Sequence, residues 1–276
     1  ISNTLDSKVR VPVSQAGGVW YVNGDDLYGL SDEESTITIP VKSDYDYTVD
    51  MPAWITGEKV KEGYNFTLTE NTTGNARKGT VIFKSQKGTK EITFVQFGVN
   101  DIAGTYEATY STFGEGDDWV SETVKIELLQ DEENEAVFYA DGLSSIRGVV
   151  LPLKFDGETY QLSALNGQYL GFIESQKWYL YTIVRSEAGY VHADTSLFYP
   201  AIAELDVDDE ELMPFFPFKD KKGFSFTGET GTIKSFIDAI GVYVFASKSP
   251  TFGNNNNLGY YDIFKGLSIK KIKADH

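Results

Sequence analysis

The sequence predicts an all-β protein, and three observations lead to this fold class. Apolar and polar residues alternate over many short runs; in residues 35–41, for example, Ile37, Ile39 and Val41 alternate with Thr36, Thr38 and a proline. A period of two is that of a strand with one buried face. Gly, Pro, Asn and Asp separate the runs, and apolar residues at helical spacing are scarce.

The first third of the chain predicts a β-sandwich of the immunoglobulin type. Tyr45, Tyr47 and Val49 alternate with aspartate and threonine, as expected for an antiparallel strand that covers a core. Similar runs follow at short intervals, and one complete set ends at Phe97. Short strands at this spacing are typical of a sandwich, so we assign residues 1–99 to such a domain.

Residues 100–276 predict a second, larger β domain. The segment Val99–Gly104 separates the two sets of runs, and residues 177–184 are apolar or aromatic on both faces, as in a central strand. The pattern leaves open an antiparallel barrel or a sandwich with at most one short helix. That helix is expected over residues 231–241, where four apolar residues fall at helical spacing: Ile233, Phe236, Ile237 and Ile240.

The composition limits the classes of partner. The chain has 41 acidic and 24 basic residues, with a formal net charge of −17. Nucleic acid and an anionic membrane surface would both repel it, so we expect no nucleic-acid partner. The sequence contains no cysteine, which excludes disulfides, thiolate metal sites and a cysteine nucleophile. No apolar run approaches the ~20 residues of a membrane-spanning helix.

Four separated features of the first domain resemble a known family. They are Trp54 followed by Ile55, the turn at Asn71, Arg77 before a buried strand, and Gln96 near the end of the domain. They lie in the stretches YTVDMPAWI, FTLTENTTGNARKGTVIF and KEITFVQFG. The segment from residue 35 to residue 98 resembles the BACON domain, the Bacteroidetes-associated carbohydrate-binding often N-terminal module, which has an immunoglobulin-like fold.

The resemblance also implies a location in the cell. Members of this family occur on secreted lipoproteins of the bacterial cell envelope, and glycan binding has been proposed for them. It therefore implies an outer-membrane lipoprotein, surface-exposed or periplasmic, that meets a membrane only through a lipid anchor. We expect that a targeting segment has been trimmed before Ile1. In the second domain, DGETYQLSALNGQYLGF resembles the lipocalin-like, β-rich modules that follow such domains.

The turn that begins at Asn71 is interpreted as structural. Gly74 and Asn75 are expected to supply positive φ angles, while Asn71 bonds nearby backbone groups. Arg77 is expected to donate to loop carbonyl groups while its methylenes cover apolar surface. None of these roles requires a ligand.

The sequence offers no recognisable catalytic group. Hydrolysis of a glycoside needs two carboxyl groups at a fixed separation across a cleft. Asp117 and Asp118 beside Trp119, or Glu174 near Trp178, have the required chemistry, but solvated strand faces account for most acids in so acidic a chain. We therefore expect no catalytic residue.

Metal sites and cofactors are not expected either. His192 lies outside any triad motif, cannot form a zinc site alone, and is interpreted as a strand residue. The segment 204–212, around Asp206, is rich in the oxygen ligands that calcium prefers. Because it lacks the glycine and the ligand spacing of an EF-hand loop, a solvated acidic loop is favoured.

Two loops have the composition of a sugar-binding site. Aromatic rings offer an apolar platform to the C–H face of a pyranose, while amide and carboxylate groups bond its hydroxyls. The alternative is a hairpin tip whose aromatic residues close the core below it. The candidate residues are Asp117, Asp118 and Trp119 in the first loop, and Phe252, Asn254, Asn255, Tyr260 and Tyr261 in the second.

A proline-flanked aromatic segment offers a second kind of surface. Phe215, Phe216 and Phe218 either cap the end of a barrel or form an exposed patch for a protein partner. The leading hypothesis is a non-catalytic envelope protein that binds a glycan or surface polymer through its second domain, with the first as a spacer. The alternatives are a structural or protein-docking component and a glycan-processing enzyme.

Overall fold

The computed structural model describes residues 17–115, 118–206, 212–228, 231–253 and 255–273. The chain forms two compact units. The first holds the described residues up to Tyr28 together with Glu34–Thr69 and Gly79–Phe94; the second holds Gly29–Glu33, Glu70–Lys78 and the described residues from Val95 onwards. The predicted boundary near residue 99 stays a prediction.

The predicted all-β fold class is confirmed. Within the described ranges the only helix is a short 3₁₀ turn, Val99–Asp101, and no helix is long and apolar enough to cross a bilayer. The strands are β1 Trp20–Val22, β2 Leu27–Leu30, β3 Ser35–Ser43, β4 Tyr47–Asp50, β5 Ile55–Val60, β6 Gly63–Leu68, β7 Arg77–Ser85, β8 Gly88–Gln96, β9 Gly104–Phe113, β10 Trp119–Gln130, β11 Val137–Asp141, β12 Leu151–Asp156, β13 Gln161–Leu165, β14 Tyr169–Ile173, β15 Trp178–Ser186, β16 Val191–His192, β17 Phe198–Ile202, β18 Phe215–Pro217, β19 Phe224–Gly228, β20 Gly231–Ser235, β21 Ile237–Phe245 and β22 Asn257–Lys271.

Strands β1 to β8 form a β-sandwich. Two four-stranded antiparallel sheets have the orders β1-β3-β6-β5 and β2-β8-β7-β4. In the first unit, the ring of Phe66 on β6 lies 5.7 Å from that of Phe83 on β7 and 5.6 Å from that of Phe94 on β8. All three rings are fully buried. The alternating residues of the two sheets therefore interdigitate to form this core.

The second unit is built on one curled antiparallel sheet. Its ten strands follow the order β14-β15-β21-β22-β9-β10-β11-β12-β13-β17, with β16 added to β15 and β18 added to β22. Strands β19 and β20 form a separate hairpin. The main core lies on one face of the large sheet and includes Tyr106, Phe138, Leu153, Leu180 and Phe264.

The helix predicted over residues 231–241 is wrong, because both halves of this segment are strands. Ile233 lies in β20, opposite Phe226 of β19. Ile237 and Ile240 lie in β21, which is buried along nearly its whole length. A strand covered on both faces carries apolar residues at successive positions, so its sequence loses the period of two and mimics helical spacing.

The proline-flanked aromatic segment is part of the second unit's core. β18 pairs with β22. Lys219, two residues after the end of β18, donates its backbone N–H to the carbonyl of Pro200 in β17 at 2.7 Å. Phe216 is fully buried and Phe218 is 4% exposed, while Phe215 is half-buried. Phe216 and Phe218 therefore form no exposed patch, because both rings belong to the main core; that the segment caps the end of a barrel stays a prediction.

Replacing the buried ring of Phe216 tests its place in the main core. We expect Phe216→Ala to lower the free energy of unfolding by about 3–5 kcal/mol, because it leaves a cavity in the main core. Phe198→Ala is the matched control, since its ring is 41% exposed, and it should cost less than about 1 kcal/mol. Urea unfolding followed by tryptophan fluorescence measures both. Equal losses in the two variants would contradict the assignment.

Candidate functional site

The large sheet buries side chains on both of its faces at β15. Leu180 and Val184 belong to the main core, whereas Tyr181 and Ile183 belong to a second, smaller cluster with Tyr243 and Phe245. Successive side chains of a strand point to opposite faces, so this second cluster lies on the face opposite the main core, here called the outer face. The sequence correctly indicated that this strand is apolar on both faces.

Trp119 also lies on the outer face, because its ring is approached by Arg185, which follows Tyr181 and Ile183 on that face of β15. It begins β10 and pairs with Phe113, the last residue of β9, with the two rings 4.6 Å apart. Two cations approach the indole: Lys265 Nζ lies 4.5 Å, and the guanidinium carbon of Arg185 lies 5.4 Å, from the ring centre. Since Phe113 is 46% exposed, the hairpin end presents aromatic surface and nitrogen donors together.

Asp238 holds the two cations in place. Its carboxylate accepts two hydrogen bonds from Arg185 Nη1, at 3.2 and 3.0 Å, and lies 3.5 Å from Lys265 Nζ. Asp238 occupies a β-bulge, because Arg185 pairs with Ala239 while Ser186 pairs with Ile237. The extra residue of a bulge re-aims its side chain, which brings the carboxylate to the cations.

These five residues form the Trp119 cluster: Phe113, Trp119, Arg185, Asp238 and Lys265. Aromatic rings favour contact with the C–H face of a sugar. The guanidinium and ammonium groups are hydrogen-bond donors, and the carboxylate is an acceptor. The ion pair fixes the positions of these groups before a ligand arrives, which lowers the entropic cost of binding.

Asp118 and Glu174, two of the predicted acidic candidates, are not among the residues of the Trp119 cluster. Asp117 lies outside the described residues. Asp118 is exposed, and its backbone carbonyl accepts the N–H of Gly114 at 2.8 Å, which closes the hairpin. Glu174 forms an exposed ion pair with Lys177 rather than a carboxyl pair beside Trp178.

Tyr260 lies on the outer face but supports the sheet rather than offering a platform. Its ring packs 4.8 Å from that of Tyr243, and its hydroxyl donates to the carbonyl of Ile183 at 3.2 Å. Burial raises the pKa of the Tyr260 phenol far above its usual value. The predicted role of Tyr260 in ligand stacking therefore does not fit its position.

The second loop is dominated by turn geometry. Phe252 packs 5.6 Å from Tyr243, and so closes the outer cluster, although it stays 39% exposed. Asn255 adopts a left-handed φ of 65°, and the amide of Asn256 donates to the carbonyl of Ser249 at 2.8 Å. Asn254 lies outside the described residues. The described asparagines thus serve the turn, as the alternative interpretation of this loop proposed.

Tyr261 occupies a different place from Trp119. It is 48% exposed, and its ring meets the edge of Trp178 at 6.1 Å. Trp178 packs against the main core, on the other side of the sheet from the outer cluster. The predicted aromatic residues therefore do not share one surface.

Sequence reasoning missed Arg185, Asp238 and Lys265. They belong to β15, β21 and β22, and only the pairing of these strands brings them to Trp119. The one local signal is Asp238 itself, a charged residue within an apolar run.

The position of His192 agrees with a strand residue rather than a metal ligand. His192 lies in β16 between the rings of Phe224, at 4.8 Å, and Phe226, at 4.6 Å, and burial lowers the pKa of its imidazole. Among the residues with described positions, no group of three or more His, Asp or Glu side chains is placed to hold a metal ion. Residues 207–211, which make up most of the predicted acidic loop, lie outside the described residues.

The turn at Asn71 is held by side-chain hydrogen bonds within the second unit. Asn71 is fully buried, and its amide donates to Asp32 Oδ1 at 3.1 Å and to the carbonyl of Asn75 at 3.0 Å. Arg77 Nε donates to Gln96 Oε1 at 2.9 Å. Gly74 has the expected positive φ of 70°, but Asn75 does not, which corrects that part of the prediction.

Two carboxyl groups are buried together beside this turn. Asp101 is fully buried and Asp32 is 7% exposed, and their side chains interact. Asp101 Oδ2 accepts the backbone N–H of Gly98 at 2.9 Å, whereas Asp101 Oδ1 and Asp32 Oδ2 meet no other donor among the described residues. Two ionised carboxylates that interact in a buried place would repel each other, so we expect the pair to hold one proton between them.

Burial is the main cause of the raised pKa of Asp101. It raises the pKa of Asp101 to about 7, and the charge of Asp32 adds to the effect. Lys271, which is 7% exposed, donates to the backbone carbonyl of Asp101 at 2.7 Å and opposes the shift. Neither carboxyl lines the cavity of about 980 Å³ beside Lys271, so this pair is enclosed rather than open to a substrate.

Comparison of the chain with protein-family models, with curated proteins and with solved structures finds no match. The resemblance of residues 35–98 to the BACON domain therefore stays a prediction.

The buried pair predicts a pH dependence of stability. Between about pH 4 and pH 7, folded Asp101 keeps a proton that the unfolded chain, with its ordinary pKa of 3.8, has released. Raising the pH across this window therefore favours unfolding, by at most about 4 kcal/mol. The free energy of unfolding, measured with urea from pH 4.5 to pH 8, should fall as the pH rises.

Asp101→Asn separates this effect from other titrations. An asparagine amide can donate to Asp32 as the protonated acid does, so the variant should lose most of the slope and exceed the wild type in stability at pH 8. Asp141→Asn is the control, because Asp141 is exposed, and it should keep the wild-type slope. Identical slopes in wild type and Asp101→Asn would show that the pair shares no proton.

Proposed function

We propose that this protein binds a glycan or surface polymer without chemical turnover, through the Trp119 cluster. The observation that carries the proposal is the position of Trp119, with Phe113 4.6 Å away and two cations within 5.4 Å of the indole centre. Rings and fixed donors on one partly exposed face are groups that a pyranose can use.

The charge of the chain favours a neutral ligand. A net charge of −17 repels polyanions at long range. Within the cluster, Asp238 neutralises one of the two cations, and the remaining donors are suited to hydroxyl oxygens. A neutral polysaccharide meets no such repulsion, and its sugar hydroxyls match the donors and the acceptor of the cluster.

The resemblance of the first domain supports an envelope setting. A BACON-like sandwich on an outer-membrane lipoprotein would act as a spacer, which holds the second unit away from the anchor. The spacer role of the first domain is part of the proposal and rests on the resemblance alone.

A structural or protein-docking role is the second candidate. Phe113, Tyr169 and Phe172 are each at least 37% exposed on the second unit, and exposed aromatic side chains also suit a protein contact. Such a role predicts no retention on any polysaccharide.

Affinity electrophoresis in gels that contain soluble polysaccharides tests the proposal. Trp119→Ala and Phe113→Ala should each weaken retention about tenfold, equivalent to ~1.4 kcal/mol, because each removes aromatic surface from the contact. The control is Tyr261→Ala, which removes a ring that is 48% exposed but belongs to another surface, and it should leave retention unchanged.

Far-UV circular dichroism and the thermal midpoint show whether each variant is folded. If Tyr261→Ala loses retention as Trp119→Ala does, the site has been misplaced. If no polysaccharide in a broad panel retains the folded wild type, the docking role takes its place. Release of reducing sugar from a retained polysaccharide would replace the proposal with an enzyme.

A further inference from the structure

A cleft of about 560 Å³ lies along β17 in the second unit. It shares no residue with the Trp119 cluster. Its walls come from β17, from the loop 219–223 and from the beginnings of β19 and β21. Its size is within the range of small-molecule sites, about 300–1,000 Å³.

The wall formed by β17 is apolar. Tyr199 and Ala201 are buried, whereas Phe198 is 41% and Ile202 is 44% exposed. Because side chains alternate along a strand, Phe198 and Ile202 share the face that lines the cleft with Pro200 between them. Water therefore meets a row of apolar side chains here, which favours an apolar ligand.

The loop beside this wall is basic. Lys219, Lys221 and Lys222 line the cleft together with Asp220. Three lysines and one aspartate give a local charge of +2 in a chain whose net charge is −17. Such a concentration of cations beside apolar side chains is complementary to an anion that also carries an apolar group.

Asp220 is already used by the loop. Its Oδ1 accepts the backbone N–H groups of Lys222 at 2.9 Å and Gly223 at 2.8 Å, and its Oδ2 accepts that of Ile237 at 3.0 Å. The carboxylate thus shapes the loop and ties it to β21. The lysine ammonium groups are the donors that this loop offers to a ligand.

We propose that this cleft binds a small amphipathic anion, with an aromatic or alicyclic body against β17 and a carboxylate, sulfate or sulfonate group at the lysines. The apolar body removes Phe198 and Ile202 from water, and the acidic group makes charge-assisted hydrogen bonds. The occupant is a free small molecule. This site is independent of the proposed glycan site.

Two fluorescent probes with nearly the same aromatic body test the proposal on the full chain. 8-Anilinonaphthalene-1-sulfonate carries the acidic group, and N-phenyl-1-naphthylamine lacks it. We expect the sulfonate to bind saturably at one site, and the neutral amine to bind at least about tenfold more weakly. The anion 2-naphthoate should displace the sulfonate, whereas the neutral 2-naphthol at the same concentration should not.

Matched variants locate the site. Lys219→Gln, Lys221→Gln and Lys222→Gln together should weaken the sulfonate at least about tenfold and leave the amine unchanged. Phe198→Ser should weaken both probes. The control replaces three exposed lysines elsewhere in the second unit, Lys154→Gln, Lys248→Gln and Lys270→Gln, and should change neither.

Each other result overturns the proposal. Equal affinity for the two probes would show that the lysines do not recognise the acidic group. An equal loss of sulfonate binding in the control triple variant would show that only the net charge of the protein matters. Loss of sulfonate binding in Trp119→Ala, with the Lys219 triple variant unaffected, would place the probe at the Trp119 cluster. Co-sedimentation with phosphatidylglycerol vesicles, without binding of the free sulfonate, would assign the cleft to a membrane surface.

Discussion

Two neighbouring strands near one edge of the large sheet, β15 and β21, bury apolar side chains on both faces, and the outer face of the second unit depends on this constraint. On one face β15 and β21 supply Leu180 and Val242 to the main core; on the other they supply Tyr181, Tyr243 and Phe245. The outer cluster is small and needs a cover. The loop between β21 and β22 provides it, because Phe252 packs on Phe245 at 5.5 Å and Tyr181 donates its hydroxyl to the carbonyl of Lys248.

The Trp119 cluster follows from where this outer core ends. Charged side chains at the border of an apolar surface lose part of their hydration and need partners. Arg185 and Asp238 are each 19% exposed and satisfy each other, while the indole of Trp119 covers the cations. The bulge at Asp238 makes this arrangement possible, since a regular strand would aim that side chain at the main core. A defect in the strand pairing thus creates a polar group of fixed geometry.

How far the sequence predicts this structure depends on whether one face or two faces of a strand are buried. The sandwich strands cover one core, so the alternation around Ile39 identified them correctly. In β21 both faces are buried, the alternation disappears, and the segment was mistaken for a helix. Similarly, Trp119 was recognisable from its loop, but Arg185 and Lys265 were not, because their approach to Trp119 depends on the register of four strand pairs.

The buried carboxyl pair is a second feature that the sequence alone does not predict. Asp32 and Asp101 stand in ordinary turn sequences, and nothing local marks either as buried. They meet because Asn71, Gly98 and Lys271 converge on the same interior space of the second unit.

Exposure then decides what such polar groups do. Enclosed carboxyl groups exchange only a proton with the solvent, so their energy appears in stability as a function of pH. The charges of the Trp119 cluster lie at the surface, and salt screens the field of the acidic chain beyond ~8 Å at physiological ionic strength. A ligand in contact with Trp119 therefore experiences Arg185 and Lys265, within 5.4 Å of the indole centre, more strongly than the net charge of −17. At the proposed glycan site, the fixed geometry of the outer face would therefore govern contact with a ligand, while the overall charge acts on the approach of that ligand.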